Sequence, residues 1–92
     1  MQLSLEILEG AVLAFLIQED LYGYALTKKT QIILGVSEST IYPILRCLMK
    51  DDYLITYDKT FQERNRRYYQ ITEAGKFRLA LIKDQWQNYR EK

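Results

Sequence analysis

Two groups of side chains in this 92-residue sequence carry recognisable chemistry. The first lies between Ser39 and Lys50. On a helix, at about 100° per residue, Ser39, Pro43, Arg46 and Lys50 fall on one face, with Tyr42 at its edge and Thr40 beside Ser39. Hydroxyls, a guanidinium and an ammonium, with no carboxylate among them, suit hydrogen bonding to phosphate oxygens and base edges. The second group is Arg64-Asn65-Arg66-Arg67-Tyr68. Residues 59–76 hold five basic and two acidic side chains, so a total charge of only +1 conceals a local cluster of +3. A polyanion responds to that local distribution rather than to the sum.

Within these groups the expected roles differ. Arg46 suits a guanine edge, which would specify sequence, whereas Lys50, Arg64, Arg66 and Arg67 suit phosphates, which add affinity without reading bases. Ser39 and Thr40, near a helix start, can donate to phosphate alongside backbone N–H groups, and Ser37 reads as the helix cap. Tyr68 lies near the same surface. The competing bland reading is a solvated helix face beside an ordinary charged hairpin. A non-enzymatic alternative is a module that binds another protein and no DNA, in keeping with the near-neutral total charge and the acidic first half.

What is missing narrows the field further. The sequence has no histidine, which removes Ser-His and Cys-His pairs, imidazole metal ligands and a histidine pH switch. Cys47 is the only cysteine, so neither an internal disulfide nor a CxxC clip is available. It reads as a passive small residue at the margin of the polar face. Gly10, Gly23, Gly35 and Gly75 are scattered and form no phosphate-cradling loop. The carboxylate pairs Glu19-Asp20 and Asp51-Asp52 sit at helix ends and read as solvated caps. No enzyme activity, cofactor or metal is expected. The first residues lack a basic region, Glu6 and Glu9 interrupt the early apolar stretch, and the run Ala11 to Ile17 is too short to span a bilayer. A soluble, cytoplasmic protein without a membrane partner is the expectation.

The elements that must position these groups follow from the apolar pattern. Apolar residues make up 48% of the chain, enough for one core. Ser4 caps a first helix whose apolar positions from Leu5 to Ile17 run almost all the way round, so one side faces the domain's core and the other a second subunit. Asp20-Leu21-Tyr22-Gly23 breaks that helix. A short second helix covers Tyr24 to Thr30, and Ile32 to Val36 reads as an apolar connector. Ile41, Ile44, Leu45 and Leu48 give the third helix, from Ser37 to about Asp52, its buried face. Pro43 argues for a kink or a later start, near Thr40. Tyr53 to Lys59 and Arg66 to Ile71 are β-rich around a polar tip at residues 61–65. Thr72-Glu73-Ala74-Gly75 opens a last helix, on which Leu79, Ile82, Trp86 and Tyr89 form a heptad-like seam for a partner chain. Trp86 reads first as a packing anchor and second as a stacking platform for an aromatic effector. Phe77 and Tyr89 read as interface or core. Tyr22, Tyr24, Tyr53 and Tyr69 read as core or hinge aromatics, and the pattern assigns Tyr57 no place.

The order helix, helix, helix, hairpin, helix predicts a mainly α fold with a small β-hairpin (α+β). Residues 1–72 form a winged helix-turn-helix and 73–92 a C-terminal dimerisation helix of the same compact domain. Three blocks then carry a resemblance: Leu21-Tyr22-Gly23-Tyr24, Val36-Ser37-Glu38-Ser39-Thr40-Ile41-Tyr42-Pro43-Ile44-Leu45, and Arg66-Arg67-Tyr68-Tyr69-Gln70-Ile71-Thr72-Glu73-Ala74-Gly75. In order and spacing they resemble the PadR family of bacterial transcriptional regulators. The resemblance implies a homodimeric winged-helix repressor of the short type, with its third helix in the major groove and its wing on the backbone or minor groove. It implies a double-stranded, pseudo-palindromic DNA partner and a last helix packed on the first helix of the other subunit. The spacing from Thr72 to Trp86 is similar to that of a multidrug-binding member in which tryptophans from both subunits stack planar drugs, implying a planar aromatic effector near Trp86. The family's wing usually has a glycine before its basic run. Here Glu63-Arg64-Asn65 stands instead, so the turn is expected to use Asn65 or another geometry.

Overall fold

The computed structural model describes residues 4–90, with side chains described through Gln85. Helix α1 (Leu5–Gln18) starts where the sequence places it, with the Ser4 hydroxyl accepting from the Ile7 N–H at 3.2 Å. A two-residue strand β1 (Leu21–Tyr22) leads into α2 (Gly23–Leu34). This helix runs four residues beyond the expected Thr30 and takes in most of the supposed connector. Gly35 ends it in the left-handed region at φ 68, its N–H donating to the Gln31 carbonyl at 2.8 Å. The chain then turns by 120° into α3 (Glu38–Lys50), the angular relation of a helix-turn-helix.

Pro43 does not break α3. It withholds only the N–H that would return to the Ser39 carbonyl, and four buried side chains, Ile41, Ile44, Leu45 and Leu48, hold the helix on the core. The helix ends in a Schellman turn: Asp52 N–H donates to Met49 O and Tyr53 N–H to Leu48 O, with Asp52 itself left-handed at φ 62. The turn delivers the chain straight into β2 (Leu54–Phe61), which pairs with β3 (Arg64–Ile71) before α4 (Glu73–Arg90).

The sheet has three antiparallel strands in the order β1-β3-β2, with Leu21 opposite Tyr69 and Tyr22 opposite Tyr68. The third strand is an addition to the expected hairpin. Strand alternation divides the sheet into two faces. Leu21, Leu54, Tyr69 and Ile71 lie on the inner face, against a core built from Leu8, Val12, Leu13 and Leu16 of α1, Leu26 of α2, the α3 residues, and Leu79 and Ile82 of α4. Gly75 lets α4 start under the end of α3: a Cβ there would overlap the Tyr53 carbonyl oxygen. Among the described residues no single helix is long and apolar enough to cross a membrane.

Candidate nucleic-acid interface

The polar face of α3 is built as its periodicity predicts. Ser39, Thr40, Tyr42, Pro43, Arg46 and Lys50 are exposed, opposite the four buried aliphatic residues. Cys47 is also exposed. Among the described residues neither Arg46 nor Lys50 takes part in an ion pair. Ser37 occupies the N-cap position, but its hydroxyl does not cap a backbone N–H. It hydrogen-bonds instead with the Ser39 hydroxyl at 2.8 Å and the Thr40 hydroxyl at 3.3 Å, tying three hydroxyls together at the start of the helix.

The wing turns tightly at Gln62 and Glu63, not at Asn65. Both are left-handed, at φ 50 and 66, and Phe61 pairs with Arg64 across the two-residue loop. Two positive φ values give the mirror-image turn whose twist matches a right-handed hairpin, normally filled by Asn-Gly. The register separates the basic residues. Lys59, Arg64 and Arg66 share the outer face with Tyr22, Tyr57, Phe61 and Tyr68, while Asp58, Asn65 and Arg67 lie on the inner face.

Pairing and stacking give these cations different characters. Arg66, expected to be a free phosphate-neutralising group, is half-buried: its guanidinium carbon lies 4.4 Å from the Tyr22 ring centroid and 4.5 Å from that of Phe61. Stacking covers the flat faces of a guanidinium and leaves its in-plane N–H donors for an oxygen acceptor. Arg67 Nε lies 3.5 Å from Asp58 Oδ1, in an exposed pair. Arg64 is exposed and takes part in no ion pair among the described residues. Tyr68 is half-buried in a row of rings, stacked on Tyr57 at 5.6 Å and tilted against Tyr22 at 5.9 Å, with Lys59 Nζ 5.8 Å from its ring.

The two groups come together at one place. An open cleft of about 420 Å³ is lined by Tyr22, Gly23 and Tyr24 at the start of α2, Tyr42 of α3, and Asn65, Arg66, Arg67 and Tyr69 of β3. Beyond Tyr68, β3 has no partner strand on its β1 side among the described residues, so the wing borders the cleft with an edge unpaired there. Asn65, expected at the turn, and Tyr24 both line this cleft. Tyr24, read as a core or hinge aromatic, is 65% exposed. Strand parity is the signal that finds Asn65, because it lies two residues before Arg67 on the same face.

Asp20 is not a solvated cap. Its Oδ2 accepts from the Tyr57 hydroxyl at 2.6 Å and from Gln70 Nε2 at 3.1 Å, joining the end of α1 to both wing strands. Donation to that carboxylate, with lesser contributions from desolvation and from the charges of Asp20 and Tyr68, pushes the Tyr57 phenol up to about 12.

On the opposite side of the domain, Leu79 and Ile82, expected at the inter-subunit seam, are each 3% exposed and serve this chain's own core against α1. They also floor an apolar groove of about 400 Å³, completed by Ile7, Gly10, Ala11, Ala14 and Lys83. Phe77, 68% exposed, is not a core residue. The side chains of Trp86 and Tyr89 lie outside the described residues.

Comparison with known proteins agrees with this architecture. Residues 12–81 match the family model described as the transcriptional regulator PadR-like family. Among curated proteins there is no match. Among solved structures, smu.1704 from Streptococcus mutans is 36% identical with a TM-score of 0.87, covering 98% of this chain and 85% of that one. A PadR-like transcriptional regulator from Bacillus cereus is 33% identical at a TM-score of 0.82, covering 92% and 85%. A PadR family transcription regulator from Clostridium difficile has the same fold at 23% identity and a TM-score of 0.82, covering 91% of each chain. The exposed basic face of α3, the adjoining wing and the family match over most of the chain lead to one conclusion: this protein is a DNA-binding transcriptional regulator of the PadR-like family.

Proposed function

We propose that the protein acts as a homodimeric, sequence-specific repressor on a pseudo-palindromic operator, with Arg46 reading a base edge and Lys50, Arg64 and Arg67 holding phosphates. The observation that carries the reading is the shared cleft: Tyr42 of α3 and Asn65–Arg67 of the wing line the same opening. A duplex that places α3 in its major groove therefore meets the wing on its adjacent backbone. Ser39, Thr40 and Tyr42 lie on the α3 side of that contact, and Arg66 and Tyr68 complete it from the sheet.

Dimerisation is supported by the groove between α1 and α4, whose apolar walls are matched by the exposed Phe77 and Leu81 of α4. A second copy contributing the seam of its last helix, including Trp86 and Tyr89, would bury both. Two-fold pairing would set the half-sites about one helical turn apart, roughly 34 Å. A planar aromatic effector wedged between the last helices is the natural release, because a small rotation there moves both reading heads. Selection of duplexes from a random pool, mobility shifts across ionic strengths and sedimentation of the free protein test the sequence preference, the phosphate contacts and the dimer in turn. A salt-sensitive shift with a two-fold symmetric motif and a dimeric mass is expected. No salt-sensitive shift would favour a protein-interaction module instead.

A further inference from the structure

We propose that Asp20 is a positioning residue for DNA binding: its carboxylate staples both wing strands to the end of α1 and thereby fixes the angle between the wing and α3. The functional consequence rests on the DNA-binding reading above, whereas the staple rests on geometry alone.

The wing needs such a tie. From Asp58 through Arg67 every side chain is exposed except the half-buried Arg66, so the outer half of the hairpin has no core of its own. Burial of Leu54 and Ile71 anchors only its base. At about 3.3 Å per residue, Tyr57 stands roughly 10 Å from Leu54, and Phe61 at the tip roughly 23 Å. A slip of about 1 Å at Tyr57 therefore grows to about 2.3 Å at the tip, enough to break a contact with a phosphate.

Two tethers oppose that slip, and both start in the short joint between α1 and α2. Asp20 takes the hydroxyl of Tyr57 from β2 and the amide of Gln70 from β3. Tyr22, two residues on, stacks against Arg66, which in turn meets Phe61 next to the turn. Glu19 is extended, at φ −165 and ψ 155, so the joint leaves α1 directly, without a slack loop. Because α1 also forms one wall of the apolar groove, a displacement of α1 caused by a partner or ligand there reaches the wing through Asp20.

Electrostatics gives the test its sign. Asp20 is a carboxylate near a surface for a polyanion, so charge alone predicts that removing it strengthens binding. The staple predicts the reverse for Asp20→Ala, and wild-type or tighter binding for Asp20→Asn, which keeps an oxygen acceptor without the charge.

The experiment uses the full chain and the duplex selected by the wild-type protein. Affinity is measured well below the melting midpoint of every variant, together with amide exchange of β2 and β3 in free protein. Asp20→Ala and Tyr57→Phe should each lose about three- to tenfold in affinity at an unchanged salt slope, because neither residue touches a phosphate. The double variant should lose no more than Asp20→Ala alone, because that change already removes the bonds from both Tyr57 and Gln70, and β2 amides should exchange faster in each single variant. Tyr57→Phe keeps the ring stack and so guards against a merely unfolded Asp20→Ala. Equal or tighter binding by Asp20→Ala, additive losses, or unchanged exchange would overturn the proposal. If the wild-type chain gives no salt-dependent shift, the DNA reading fails, and the exchange measurement alone decides the staple.

Discussion

Removing the Asp58 charge should strengthen DNA binding by releasing Arg67. The two side chains are 50% and 66% exposed and meet at 3.5 Å, so their attraction is that of a solvated surface pair, at most about 1 kcal/mol. Arg67 therefore leaves Asp58 for a phosphate at a cost of no more than about fivefold in affinity. Asp58→Asn keeps the side-chain shape and removes that competition. Affinity for random duplex should rise by about two- to fivefold per protomer at moderate salt. If Arg67 stays with Asp58 in the wild-type complex, its release adds one phosphate contact. The log–log salt slope then steepens by about 0.9 per protomer, and the loss between 50 and 200 mM salt grows by about 3.5-fold. Mobility shifts or fluorescence anisotropy across that range read both quantities. The decisive control is the double variant Asp58→Asn with Arg67→Ala, which should show no gain over Arg67→Ala alone. A gain that survives there would trace to the lost carboxylate's long-range field, and an unchanged affinity for Asp58→Asn would refute the competition outright.

Arg46→Ala should lose about 1–3 kcal/mol more on the selected duplex than on random DNA, and equal losses on both would end its role as a base reader. Glu63→Gly should raise the melting midpoint, because glycine relieves a left-handed residue by about 0.5–1 kcal/mol; a lower midpoint would argue against the φ of 66 at the turn. Gly75→Ala should destabilise by about 1–3 kcal/mol in thermal melts, since the new methyl overlaps the Tyr53 carbonyl and the Ile71 side chain. The Tyr57 phenol, raised to about 12, contributes its hydrogen bond fully below its ordinary value near 10 and loses it as the pH climbs through 12. Carbon NMR of labelled tyrosine should show the Tyr57 resonance titrating near 12 and returning toward 10 in Asp20→Ala.

How far the sequence reaches can be judged residue by residue. The α3 face is legible because one helix carries both sides of the argument: Ile41, Ile44, Leu45 and Leu48 point inward, which fixes where Arg46 and Lys50 point. The element order is legible because each piece has its own period. β1 is not, since two residues have no period, and Leu21 becomes a strand only by meeting Tyr69 far along the chain. The end of α2 is not legible, because Ile32 and Ile33, both exposed, read as an apolar connector, and Gly35 marks the helix end only once its φ is known. Gln62 and Glu63 are poor turn formers that the strand register forces into the left-handed region. On α4, spacing reveals that Leu79 and Ile82 share a face, but not which chain covers it. The role of Asp20 is not legible in the sequence, because its partners lie 37 and 50 residues away.

The wing's division into a side bearing Lys59, Arg64 and Arg66 and a side on which Arg67 is offset by Asp58 makes the ribbon an electrical lever as well as an arm. In a non-uniform field, a body charged on one side is twisted as well as drawn in. As the protein drifts toward a duplex, that torque rolls the ribbon's charged side toward the strand before any atoms touch. Orientation is thus set during the encounter, so that fewer collisions are wasted and the association rate becomes sensitive to ionic strength in its own right.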